Sequence, residues 1–188
     1  MEVPNKTFPN DVRHDYDGHP CSHRKAHNVY GTQMARATYN GVKKYIYPKR
    51  PFVITRSAYS GAQRYGSSWT GDNVASWEHL WVANIQVQRM CISGMSFTGT
   101  DIGGFAEQPT GELYARWIQL GVFHPFCRTH SSGDHGDQEP WSFDDEVIDV
   151  TRKFIELRYQ LLPYLYSAFY EYCEDGIAIN KPLYFFDQ

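Results

Sequence analysis

The strongest constraint on this chain is an alternation: short apolar, β-branched runs separated by longer stretches with a helical period. Residues 51–56, with Phe52, Val53, Ile54 and Thr55 at their centre, read as a buried strand of a parallel sheet, and residues 95–100, 122–126 and 182–186 also read as strands. Around them, residues from about 29–45, 76–94, 111–120 and 144–173 carry apolar side chains at spacings of three and four. Helix and strand in alternation imply a parallel sheet with helices outside, an α/β architecture. The loops after the strands are long, and that end is where α/β enzymes carry catalytic groups.

The helix boundaries carry their own signals. Asn28 is the expected cap of the first helix, whose stripe is Tyr30, Met34, Ala37, Thr38, Val42 and Tyr45, with Gly41 weakening its end. Ser76 is expected to cap the second, with Trp77, Leu80, Trp81, Asn84, Ile85, Gln88 and Cys91 along one side and Gly94 as its stop. Thr110 caps the third, with Glu112 in its first turn. The longest starts near Asp144 on a stripe of Val147, Val150, Phe154, Leu157 and Leu161. Pro163 should kink or split it, and Gly176 follows its end.

Residues 1–26 are polar, broken by Pro4, Pro9, Gly18 and Pro20, and read as an irregular segment ahead of a domain at 27–188. His14, His19, His23 and His27 are closely spaced there. Metal ligation usually comes with a carboxylate or thiolate partner and a defined scaffold, so a solvated loop is preferred to a zinc site. Cys21, Cys91, Cys127 and Cys173 lie far apart without a CxxC, so redox and metal motifs are unsupported and no cofactor is expected. Net charge is −3 with both signs spread along the chain, and no basic block points to nucleic acid or a membrane surface. No run of about 18 apolar residues is present to span a bilayer, and the N-terminus lacks the layout of a signal peptide.

The loop at residues 56–73 is rich in Gly, Ser and aromatics. Within it Asp72 stands between Gly71 and Asn73, three residues after Trp69. An aromatic wall beside a carboxyl group lowers local polarity, which suits a general acid near neutral pH. Thr-Gly-Asp-Asn is equally the composition of an ordinary turn. Aromatics make up 16% of the 188 residues, a share that fits stacking on sugar rings and fits a large core as well.

Four ordered segments carry a family resemblance. They are His27-Asn28-Val29-Tyr30-Gly31, followed by Arg50-Pro51-Phe52; Arg56-Ser57 through Arg64-Tyr65 to Trp69-Thr70-Gly71-Asp72-Asn73; Thr98-Gly99-Thr100-Asp101-Ile102-Gly103-Gly104-Phe105; and Phe123-His124-Pro125-Phe126-Cys127-Arg128-Thr129-His130-Ser131. In order and spacing they resemble glycoside hydrolase family 31, the α-glucosidase family. The resemblance implies the C-terminal half of a (β/α)8 TIM barrel, about four strands with flanking helices, and a retaining hydrolase of α-linked glucose in oligosaccharides. It makes Asp72 the general acid/base, and Arg56, Trp69, Asp101, Phe105 and His130 the lining of the sugar subsite. For each of these a structural role stays open: a salt bridge for Arg56, core packing for Trp69 and Phe105, ordering of the Gly103-Gly104 turn for Asp101, a loop contact for His130. Arg64 and Tyr65 are expected to support the loop. The family's nucleophile motif, Trp-x-Asp-Met-Asn-Glu, is absent from the sequence, and Met1-Glu2-Val3-Pro4 resembles a start just downstream of it. The chain alone is therefore expected to be inactive, and an isolated half barrel, with unpaired strand edges, to self-associate. The alternatives are a non-catalytic carbohydrate-binding or interaction module on the same scaffold, or a related α-xylosidase or transglucosidase.

Overall fold

Backbone hydrogen bonds decide where each element starts. The structure, a computed structural model, describes residues 7–185 and divides into two compact units, Met1–Gly66 and Ser67–Gln188. In the first, β1 (Arg13–His14) and β2 (Cys21–Ser22) form an antiparallel hairpin that leads straight into α1 (His23–Ile46). The helix starts before Asn28 and has no side-chain cap at Ser22. Instead the hairpin backbone satisfies its first donors: His23 N–H bonds the Val12 carbonyl at 2.7 Å and Arg24 N–H that of Asn10 at 3.1 Å. Residues 23–26 are thus helical, not irregular.

The histidines are not a solvated cluster either. His23 is buried, its two ring nitrogens lie 2.9 Å from His14 and 3.1 Å from His27, and Phe8 and Tyr30 pack edge-on against it. Burial, with His14 and His27 nearby, pushes the His23 pKa down. Along α1 the buried positions are His23, Ala26 and Ala35, while Met34 and Tyr45 of the expected stripe are exposed. The 51–56 strand is reduced to a single bridge residue, Ile54, and Phe52 is exposed. This stretch is shaped by close packing: a Cβ on Gly31 would overlap the Ser57 carbonyl, and one on Gly66 would stand 2.8 Å from the Val53 carbonyl. Arg64 bonds the Gly61 carbonyl and lies over the Tyr65 ring, in keeping with a supporting role.

The second unit holds two parallel pairs, β3 (Ser68–Trp69) with β4 (Thr98–Gly99), and β5 (Asp101–Ile102) with β6 (Arg128–Thr129). Around them lie α2 (Trp77–Ile92), α3 (Gly111–Gly121) and α4 (Asp145–Asp175). Ser76 and Thr110 cap their helices as expected, and Asp144 caps α4; each accepts from the N–H three residues on. Pro163 does not divide α4, and Gly176 closes it in the left-handed conformation at φ 73°. On α2 the buried face is Ala83, Val87 and Cys91, and Trp77 and Trp81 face solvent.

The core gathers Ile102, Leu113, Tyr114, Trp117, Ile118, Val122 and Val147, with Phe143, Val150 and Phe154 packed against it. Two expected strands fail here. Residues 122–124 continue the turn that ends α3, with Phe123 and His124 N–H bonded to the Leu120 and Gly121 carbonyls; Phe126 N–H reaches the Thr98 carbonyl at 3.0 Å, and the named ladder begins at Arg128. Arg158 of α4 donates to the Val122, His124 and Pro125 carbonyls, which gives this non-ladder backbone its partners. In place of a strand at 182–186, Leu183–Phe185 is a 3-10 turn. Phe186 and the Met1-Glu2-Val3-Pro4 start lie outside the described residues. No helix among the described residues is long and apolar enough to cross a membrane.

Candidate active site

Three loop segments of the second unit meet at the ends of its parallel pairs. The first is the Thr70-Gly71-Asp72-Asn73 turn. Thr70 N–H bonds the Gly99 carbonyl at 3.1 Å, extending the β3 and β4 pairing by one residue. Thr70 Oγ1 donates to Asn73 Oδ1, and Asn73 N–H bonds the Gly71 carbonyl. Asn73 is buried, and its carbonyl accepts from Phe105 N–H at 2.7 Å and Ala106 N–H at 3.1 Å. The turn reading and a fixed presentation of Asp72 are thus both satisfied: Asp72 stands exposed at the apex of a turn fastened on two sides. Its carboxyl is not walled off from water as the sequence implied.

The second segment follows β5. Asp101 is fully buried, and its Oδ1 accepts from Arg128 Nε at 3.1 Å and Nη2 at 2.8 Å. Its Oδ2 is buried without a hydrogen-bond partner among the described residues. Burial raises the Asp101 pKa, and the Asp72 charge adds to it, while Arg128 and His130 oppose the shift. The Gly103-Gly104 turn is ordered by the Asp101 backbone carbonyl, which accepts from Gly104 N–H at 3.0 Å, leaving the carboxylate to Arg128. Both glycines are required there. Their φ angles are +91° and +95°, and a Cβ on Gly104 would stand 2.6 Å from the Ala75 backbone.

The third segment follows β6. His130 is exposed and its ring lies tilted against Phe105, which is half-buried, with centroids 5.4 Å apart. Arg128 spreads its guanidinium over Trp69 and Phe126, each at 5.2 Å, while it holds Asp101. Arg128 and Gln138 were both missed by sequence reasoning. Arg128 had a signal: two residues before His130 on a strand-like stretch, it shares that residue's side. Gln138, buried and donating to the Gly104 carbonyl at 3.1 Å, had none. Asp72, Trp69, Asp101, Phe105 and His130 are thereby linked within one unit. Arg56 belongs to the other, where it lines a groove of about 700 Å³ with Thr7, His27, Tyr30 and Tyr59. No three His, Cys, Asp or Glu side chains among the described residues are placed to hold a metal ion.

The sequence model of the glycosyl hydrolases family 31 TIM-barrel domain matches residues 1–168. The chain is 47% identical over 180 residues to Alpha-glucosidase 2 of Bacillus thermoamyloliquefaciens, covering 96% of this chain and 23% of that protein. It is 42% identical over 186 residues to the Glucosidase 2 subunit alpha of Saccharomyces cerevisiae, covering 98% and 19%. Among solved structures, a glucosidase II alpha subunit in a Glc1Man2-bound form superposes with a TM-score of 0.92 at 36% identity, over 98% of this chain and 20% of that one. The chain spans about a fifth of the length of these relatives. The fold is accordingly of the α/β-barrel type, and the chain belongs to glycoside hydrolase family 31.

Proposed function

We propose that this chain supplies the acid/base side of an α-glucosidase active site, as the C-terminal half of a (β/α)8 barrel. Asp72 protonates the glycosidic oxygen of a terminal α-linked glucose and later deprotonates the attacking water. Trp69 and Phe105 flank the sugar ring, His130 hydrogen-bonds its hydroxyls, and buried Asp101 acts through Arg128, whose guanidinium it holds. The observation that carries this reading is the exposed Asp72 carboxyl on a turn whose Asn73 is bonded to the Phe105 backbone, within electrostatic reach of buried Asp101. A proton donor must be reachable by substrate and held still.

A retaining mechanism also needs a nucleophilic carboxylate about 5 Å from the acid, to form the glycosyl-enzyme ester. The nucleophile motif is not within these 188 residues. The 188-residue polypeptide by itself should therefore release no nitrophenol from p-nitrophenyl α-glucoside, and with open strand edges it should self-associate. Turnover abolished by Asp72→Asn in that polypeptide would refute this. A second reading is a carbohydrate-binding module without chemistry, which the absence of the motif from the coding sequence upstream of residue 1 would favour.

The longest natural form of the protein separates the two. It should hydrolyse maltose or isomaltose in preference to an α-xyloside, and nuclear magnetic resonance should show α-glucose as the first product anomer. β-Glucose as first product would overturn the retaining assignment. Preference for the xyloside would move the chain to the xylosidase branch, and sugar binding without turnover would support the binding module.

A further inference from the structure

We infer that Gln138 is a positioning residue for the turn that bears Asp72, acting through the glycine pair at residues 103–104. The inference rests on the reading of Asp72 as proton donor. Gln138 is 4% exposed and precedes the 3-10 turn Pro140–Ser142. Its Nε2 donates to the Gly104 carbonyl at 3.1 Å. Its Oε1 is buried with no hydrogen-bond partner among the described residues, 2.6 Å from where a Cβ on Gly103 would stand. A stranded buried carbonyl is destabilising, so this amide sits where it does at some cost to folding. Such costs collect where a fold must hold a particular geometry.

From Gly104 the constraint passes along backbone bonds. Gly104 is pressed against the Ala75 backbone, next to the acid-bearing turn. Phe105 and Ala106 N–H bond the Asn73 carbonyl, and Ala75 N–H returns to the Ala106 carbonyl at 2.8 Å. Fixing the Gly104 peptide therefore fixes Asn73, one bond from Asp72. The segment carrying Gln138 is itself held, because Gln108 Nε2 donates to the Asp137 carbonyl at 3.0 Å and Ser132 N–H to the Phe105 carbonyl at 2.9 Å. Two glutamines thus bind the 103–108 and 136–138 stretches to each other from opposite sides.

The test is Gln138→Leu, with Gln138→Met as a second variant of similar volume, both in the longest natural form of the protein. Each removes the donor to Gly104 and the stranded acceptor together. The two effects on folding oppose each other, so the thermal midpoint should stay within about 4 °C of wild type. Turnover of maltose should fall by about tenfold or more, since a displaced acid misses its oxygen. Turnover of p-nitrophenyl α-glucoside, whose leaving group needs little protonation, should fall by less than about threefold. Asp72→Asn is measured alongside as reference. If it shows the split between substrates and the Gln138 variants lose both activities in parallel, or neither, the positioning role is overturned. A midpoint lowered by more than about 10 °C in both Gln138 variants also overturns it, as that is the signature of a structural prop. If Asp72→Asn itself shows no split, the proton-donor reading fails and the inference falls with it.

Discussion

Replacing Arg128 with Met should expose how heavily Asp101 depends on one cation. Asp101 is fully buried, its Oδ1 accepts from Arg128 at 2.8 and 3.1 Å, and its Oδ2 has no hydrogen-bond partner among the described residues. Removing one member of a buried pair costs about 3–5 kcal/mol when the other stays charged. The carboxyl has an escape, which is to take up a proton. From an ordinary value of 3.8, that escape costs about 4.4 kcal/mol at pH 7 and about 1.6 kcal/mol at pH 5. The predicted destabilisation is therefore about 3–4 kcal/mol at pH 7 and no more than about 2 kcal/mol at pH 5.

The direction with pH follows from proton counts. Burial already raises the Asp101 pKa in the fold, and losing Arg128 raises it further. Between the unfolded and folded values the native state holds more protons, so stability falls as pH rises through that window. Urea unfolding of wild type and Arg128→Met at pH 5 and pH 7 measures this, and Arg128→Met combined with Asp101→Asn should recover most of the loss at pH 7. A destabilisation below about 1 kcal/mol at pH 7, or one equal at both pH values, would refute the reasoning.

His124 should give the opposite slope. It is buried with both ring nitrogens unpartnered among the described residues, and burial, reinforced by the Arg158 charge, pushes its pKa from 6.5 down to about 4. No penalty exists above pH 6.5, and about 3 kcal/mol of stability is lost as pH falls towards 4, because the unfolded chain binds the proton first. Urea titrations of His124→Phe should lack that loss; an unchanged pH dependence contradicts it. Gly104→Ala should lower stability by at least about 2 kcal/mol, from the left-handed backbone plus the overlap with Ala75. A change below about 1 kcal/mol by thermal melting would count against the described turn.

What could be read from the sequence was local. Ser76 and Thr110 were legible as caps, and Asp144 as a helix start, because each accepts a bond only three residues away. The start of α1 was not, since its first N–H groups go to the Val12 and Asn10 carbonyls, which leave no side-chain signature. Of the strands placed on apolar runs, 95–100 does carry a ladder, at Thr98–Gly99, but its partners and the other ladders form at Ser68, Asp101 and Arg128, polar residues that pair over long sequence distances. A β pair needs its partner's backbone, and hydrophobicity alone does not supply it. The stripe read from spacing on α2 ran through Trp77 and Trp81 to Cys91, but of these only Cys91 is buried, beside Ala83 and Val87. The same distinction applies at the site. Asp72, Trp69, Asp101, Phe105 and His130 stand in recognisable strings; Arg128 stands in one too, but its role, like that of Gln138, comes from contacts with residues 101 and 104.

Proton donation from Asp72 is the centre of the account, and the most direct measurement is kcat/KM of Asp72→Asn in the longest natural form of the protein. Maltose is compared with p-nitrophenyl α-glucoside. The maltose reaction should fall by about 100-fold or more and the nitrophenyl reaction by far less, because only the sugar leaving group needs its oxygen protonated. Equal losses on the two substrates would contradict it.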